Sequence, residues 1–176
     1  MKSTGVVRRI DDLGRIVIPK EIRRTLRIRD GESLEIFVDS ETISLKKFSK
    51  MTDIEGISKE LVDIINNNIN KNILVTDRDK FIAASGNLRK KYIDKNISRY
   101  LENVMKDRKI IIEGTQCDVE LLDGVKDYLS YIICPIIMNG DAIGLLLILS
   151  DKDDISVSDE KIAYVTAQFL GKHIEE

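Results

Sequence analysis

Two cysteines and a single histidine among 176 residues leave little material for metal or nucleophile chemistry. Cys117 and Cys134 stand apart with no Cys-x-x-Cys, so neither a zinc site nor an intrachain disulfide framework is expected, and both read as buried structural thiols. His173 stands near the chain's end, in the last turn of an expected helix, where it is a helix-end cation and not the base of a catalytic triad. Asp77/Asp79 and Asp151/Asp153/Asp154 fall in expected turns, where aspartate is common for backbone reasons. No phosphate-binding Gly-rich loop follows a strand. No catalytic residue, metal or cofactor is therefore expected. Proline is also scarce, at two residues, and glycine stands at ten, which argues against a disordered or fibrous chain. The longest apolar run, Ala142 to Leu149, is far short of the ~20 residues of a membrane span, and no basic-then-apolar leader opens the sequence. These features predict a cytoplasmic protein with no membrane partner.

What is present is an asymmetry of charge. The net charge of −2 hides a first segment, residues 1–50, with twelve Lys+Arg against eight Asp+Glu, and a remainder with sixteen against twenty-two. From Lys2 to Arg29 there are nine basic residues against three acidic, and seven of the nine are arginine. A basic module on an acidic body points to nucleic acid, and the planar fork of arginine suits phosphate oxygens and guanine edges better than the lysine ammonium does.

The same segment has a recognisable order. Thr4–Ile10 and Arg15–Ile18 read as β-branched strands around Asp11-Asp12-Leu13-Gly14. Pro19 then opens a helix over Pro19–Ile28, with Gly31 in the turn that follows. Ser33–Val38 and Thr42–Lys47 form a second strand pair around Asp39-Ser40-Glu41. On a helical wheel Ile22, Leu26 and Pro19 make a narrow apolar side, while Arg23, Arg27, Lys20 and Arg24 share an arc of about 100° with no carboxylate among them. Such crowding is unfavourable until an anion resolves it, and a phosphate backbone would. A solvated charged face is the competing reading for the helix alone; Arg8, Arg9 and Arg15 weigh against it. A segment of this length, without metal or disulfide, also buries too little of its surface to stand by itself, so a second chain is expected to complete it and to double the arginine surface.

The run Gly5-Val-Val-Arg-Arg-Ile-Asp-Asp-Leu-Gly-Arg-Ile-Val-Ile-Pro-Lys-Glu-Ile-Arg-Arg-Thr-Leu26 closely resembles the N-terminal domain of the AbrB family of transition-state regulators. That resemblance implies a swapped-hairpin β-barrel, an intertwined dimer in which two chains interleave strands into one unit that binds double-stranded DNA. The family's DNA contacts, carried over by motif, fall on Arg8 in the first strand, Arg15 after the Asp-Leu-Gly turn, and Arg23 and Arg24 after Ile-Pro. Arg9, Lys20 and Arg27 fit the same surface by spacing. The resemblance further implies a regulator of spore-development genes, activating some promoters and repressing others.

A polar stretch from Lys46 to Asp53, with residues 51–55 as the linker, divides a 1–50 domain from a 56–176 domain. Beyond it Ile54, Ile57, Leu61, Ile64 and Ile65 mark an amphipathic helix that weakens at Asn66-Asn67-Asn68. Strands are expected over Ile73–Thr76, Phe81–Ala84, Lys109–Glu113, Tyr131–Met138 and Ala142–Ser150. Asp77–Lys80 forms one turn and Asn139-Gly140-Asp141 another, since Asn-Gly tolerates the positive φ of a tight hairpin. Pro135 belongs at an edge or bulge. A last helix, capped by Ser158, carries Ile162, Val165, Phe169 and Leu170. Helix, antiparallel strands and helix make an α+β domain, and the order resembles a GAF domain. That likeness implies a pocket for a small-molecule effector between the sheet and parts of Ser85–Tyr100 and Glu113–Tyr128, with no residue naming a ligand. The alternative is a domain for packing and oligomerisation only, with its terminal helices pairing between chains; a homodimer through the first domain then becomes a homotetramer through the second. Two other readings compete for the whole chain: an antitoxin-like DNA-binding autoregulator, against which the globular second half argues, and a metabolite-binding protein without specific DNA recognition.

Overall fold

The structure, a computed structural model, describes residues 5–47 and 51–173; Thr4 at the start of the first expected strand and residues 48–50 of the polar stretch lie outside them. The chain divides into two units, Met1–Phe48 and Ser49–Glu176.

In the first unit Pro19 stands at the N-cap of α1 (Lys20–Thr25) with φ −56°, and its carbonyl accepts the Arg23 N–H at 3.0 Å. The helix is shorter than the expected Pro19–Ile28. Arg27 turns left-handed, with φ 51°; its N–H bonds Arg24 O at 3.2 Å and the Ile28 N–H bonds Arg23 O at 2.7 Å. This is the Schellman closure, with arginine where glycine is usual. Then β1 (Leu34–Asp39) pairs antiparallel with β2 (Thr42–Lys47), from Leu34 opposite Lys47 to Asp39 opposite Thr42. Ser40 takes the positive φ of 44° that the two-residue turn requires. The two expected N-terminal strands are not strands within one chain. Residues 5–10 and 15–19 belong to no ladder; what joins them is the turn, where Asp11 N–H bonds Arg15 O at 3.1 Å and Gly14 N–H bonds Asp11 O at 3.0 Å. Their β-branched composition suits a pleated sheet, but the chain's own β1–β2 pair does not extend to them.

The second unit begins with α2 (Met51–Ile69), so residues 51–55 are the helix's opening turns and not a linker. The helix also runs through the asparagine triplet. It stops where Asn70 turns left-handed, φ 55°, and the Asn66 amide donates to Lys71 O at 2.8 Å. A five-stranded antiparallel sheet follows, in the order β4-β3-β7-β6-β5, built from β3 (Asn72–Thr76), β4 (Phe81–Ala84), β5 (Ile111–Leu122), β6 (Val125–Met138) and β7 (Asp141–Ser150). The strands β5 and β6 are longer than expected, because Asp123-Gly124 is itself a hairpin turn, with Gly124 at φ 77° and its N–H on Glu120 Oε1. At Asn139-Gly140 both residues take positive φ, 49° and 81°, as a type I′ turn demands. Pro135 sits beyond the last β5 partner of β6, Ile111 opposite Ile133, and just before a register shift at Ile136/Ile137, so its missing N–H costs no ladder bond to β5.

Side-chain alternation divides the interior in two. Leu146 and Ile148 of β7 join Val62 and Ile65 of α2 and Ala163, Ala167 and Leu170 of α5 (Val157–His173). Leu145, Leu147 and Leu149 face the other way, toward Tyr92 of α3 (Leu88–Tyr92) and Leu101, Val104 and Met105 of α4 (Arg99–Asp107). The unbroken apolar run of β7 is thus a strand covered on both faces. Ser156, and not Ser158, caps α5: the Asp159 N–H bonds Ser156 Oγ at 3.3 Å and Ser156 N–H returns to Asp159 Oδ2 at 2.8 Å, a capping box with aspartate at its third position. Lys71 Nζ lies 3.7 Å from the same carboxylate, both side chains buried, and donates to Asp154 O at 2.8 Å. No helix among the described residues is long and apolar enough to cross a membrane.

Close approach of α5 to the sheet rests on Gly171, where an added Cβ would lie 2.2 Å from Ile137 O. In an open helix Gly→Ala gains up to about 1 kcal/mol. Here Gly171→Ala should instead cost about 1–3 kcal/mol, the range for overpacking, as a lower urea midpoint of the full-length protein followed by circular dichroism. A raised midpoint would show that α5 does not pack so closely.

Candidate nucleic-acid interface

Of the four expected contact residues, Arg15 closes a turn, Arg8 lies in the segment ahead of it, and Arg23 and Arg24 are on a helix. In the turn, Asp11 Oδ1 accepts the Leu13 N–H at 3.1 Å and the Arg15 N–H at 2.7 Å, while Oδ2 accepts Arg15 Nε at 2.7 Å. Both the loop and the guanidinium that leaves it are fixed by one carboxylate. The amide bond from Arg15 and then its guanidinium hold the Asp11 carboxyl below the usual carboxylate range, so it is ionised at neutral pH. The Arg15 side chain remains 71% exposed. Arg8, ahead of the turn, is exposed, and its Nη1 donates to Val7 O at 3.2 Å.

On α1, Arg23 and Arg24 are neighbours. Arg23 Nη1 pairs with Asp30 Oδ1 at 2.6 Å, across the helix's C-terminal closure. Arg24 is exposed and makes no ion pair among the described residues. Arg27 lies past the helix end, so the four-cation arc drawn on a longer helix reduces to Lys20, Arg23 and Arg24. No hydrogen bond or ion pair among the described residues joins the turn arginines to the helix arginines within one chain. The carboxylates Asp11 and Asp30 were not foreseen as parts of this surface; the Asp-x-x-Gly turn spacing around Asp11 was the available signal.

Burial is the other fact about this unit. None of residues 5–46 is buried, and Val7, Leu13, Val17 and Val38 are each more than 70% exposed.

The second unit differs in kind. The segment Glu113–Tyr128, expected as loops over a pocket, is mostly the β5–β6 hairpin. Beneath it the interior is filled: Tyr92 lies against Phe81 with ring centroids 4.9 Å apart, its hydroxyl donates to Asp127 Oδ2 at 2.8 Å, and the Tyr100 and Tyr131 hydroxyls meet at 3.2 Å. Cavities do open in this unit. One of about 430 Å³ is lined by Arg108, Cys134, Ile137, Tyr164, Ala167 and Lys172 among others; another, about 600 Å³, by Lys59, Ala84, Arg89, Lys90 and Ile93. Of these, the second draws on Ser85–Tyr100. Burial pushes the Cys134 thiol up to about 11, which keeps it protonated. His173 stacks on Phe169 with centroids 5.8 Å apart. Asp77 closes its turn by accepting the Asp79 and Lys80 N–H groups, each at 2.7 Å.

Comparison with known proteins follows the same division. Residues 53–175 match the family described as stage V sporulation protein T C-terminal, transcription factor. Residues 7–50 match the family described as antidote-toxin recognition MazE, bacterial antitoxin. Stage V sporulation protein T of Bacillus subtilis (strain 168) is 44% identical over 178 residues, covering 100% of both chains. The transition state regulatory protein AbrB of the same organism is 62% identical over 48 residues, 27% of this chain and 50% of its own. Among solved structures, the cofactor binding GAF domain of the nutrient sensor CodY from Clostridium difficile covers 88% of this chain and 94% of its own, with a TM-score of 0.52 at 16% identity, a likeness of fold alone. The chain is thus a sporulation transcription factor in which an AbrB-type DNA-binding unit precedes a GAF-fold domain. It belongs to the stage V sporulation protein T family.

Proposed function

We propose that two chains complete one DNA-binding unit by pairing the strands each leaves unpaired, and that Arg8, Arg15, Arg23 and Arg24 of both chains form its DNA surface. The observation that carries this reading is the lack of any buried residue in 5–46 beside ladder-less apolar segments. Such a segment has no stable monomeric fold, and a symmetric partner is the economical source of matching strands. The resulting unit is a swapped-hairpin barrel, and its paired arginines meet two half-sites of a duplex.

In this reading the second unit sets the larger assembly. The exposed side chains Tyr164, Val165 and Phe169 on α5 and Ile64 on α2 support pairing of terminal helices between chains, giving a tetramer. A small-molecule effector has at least two cavities open to it, one beside α3 with Arg89 and Lys90 in its lining and one with Arg108 and Lys172. The protein acts in the cytoplasm without catalysis, activating some sporulation promoters and repressing others. The antitoxin-like reading draws on the match of residues 7–50 alone; a folded second unit in place of a disordered toxin-wrapping tail weighs against it.

Two measurements test the proposal. The Arg23→Ala/Arg24→Ala protein should bind DNA more weakly, and the slope of log affinity against log salt should become shallower by roughly 0.9 for each phosphate that is no longer neutralised. An unchanged slope and affinity in a variant that still oligomerises would remove the helix arginines from the interface. Separately, the thermal midpoint of the first unit should rise with protein concentration, as mass action requires of a fold completed by association. A midpoint constant over a hundredfold dilution series would overturn the shared fold.

A further inference from the structure

The two carboxylates of the arginine surface hold their arginines in different ways. Asp11 takes Arg15 by the Nε edge, at 2.7 Å. Neither terminal nitrogen of Arg15 has a partner among the described residues, so its end-on fork, the pair Nη1 and Nη2, remains whole for two phosphate oxygens or the N7 and O6 of guanine. Asp30 takes Arg23 by Nη1, at 2.6 Å, which occupies half of that fork. The first carboxylate is anchored by three hydrogen bonds within a closed turn; the second side chain is 93% exposed.

We propose that Asp11 is a positioning residue for DNA recognition, aiming the terminal nitrogens of Arg15 outward, and that Asp30 is a competitor that DNA must displace from Arg23. The inference rests on the reading that Arg15 and Arg23 contact DNA. For Asp11 the expected sign runs against simple electrostatics. Removing a carboxylate beside a phosphate-binding cation relieves repulsion of the DNA and, on charge alone, tightens binding. A positioning carboxylate reverses that sign, because an arginine that is untethered in the free protein must be ordered on binding, at a cost in entropy.

The experiment uses full-length protein, a duplex enriched from a random pool by the wild type, and an unselected duplex as reference. Asp11→Asn keeps an acceptor for the Leu13 and Arg15 amides but loses the charged grip on Nε. It should weaken binding to the enriched duplex by roughly tenfold, the lower half of the 1–3 kcal/mol that a good bidentate pair contributes, and bring it nearer the unselected one. Asp30→Asn should tighten binding to both. If both variants tighten, charge alone governs and the proposal is overturned. A cycle with Arg15→Ala separates positioning from mere turn structure: in that background Asp11→Asn should no longer weaken binding. A weakening that persists there, through misfolding or otherwise, means Asp11 does not act through Arg15. If Arg15→Ala itself leaves affinity unchanged, the underlying assignment of Arg15 to DNA fails. If Arg15→Ala weakens binding and Asp11→Asn does not, only the positioning role fails.

Discussion

A short chain can hide its apolar side chains only against something, and within residues 5–46 none of them is buried. The features of the first unit follow from that constraint. Its N-terminal segments form no ladder; its helix is six residues long, too short to hold together by its own hydrogen bonds; and its order is concentrated in turns. The Asp11–Arg15 loop and the Arg27 closure are local structures, stabilised by neighbours in sequence. They can exist before any partner arrives, and they carry or flank three of the four arginines assigned to DNA. In the architecture proposed, local turns set where the arginines point and association sets whether they share a surface.

The second unit is under no such constraint. A sheet with a two-faced central strand has a core on each side, and the terminal helices share one of them. The other is closed by tyrosines whose hydroxyls find partners: Tyr92 on Asp127, Tyr100 on Tyr131. Tyrosines satisfied in this way have fixed side chains. The fold is that of GAF domains, and the cavity beside α3, lined by Arg89 and Lys90 among others, has none of Tyr92, Tyr100 and Tyr131 in its lining.

How much of this could be read from the sequence depended on how local its cause was. The β1–β2 pair, the Asp77 turn, the Asn139-Gly140 hairpin and the misfit of Pro135 in an ordinary ladder were all legible, because each rests on residues adjacent in the chain. Asp123-Gly124 carries an equally local signal, yet its flanking strands alternate with many charged residues and read as loop. The end of α1 was hidden because arginine occupies the left-handed position, and the end of α2 because an asparagine run terminates a helix only where its side chains reach the next carbonyl. Ser156 competes with Ser158 as the cap, and only the placement of Asp159 three residues on decides it. The arginines were legible as a charge pattern; which nitrogen each carboxylate takes was not, since that depends on side-chain geometry. The N-terminal strands were legible as composition but need pairing that one chain does not contain.

That last feature also bears on the protein's lifetime in a cell. A chain whose Val7 and Val17 are uncovered and outside any ladder presents apolar segments of the kind that proteases cleave and chaperones hold. The proposed pairing of two chains would withdraw them. Quality control would then act selectively on the unassembled fraction, so that turnover as well as synthesis trims the pool of chains toward those able to engage a promoter.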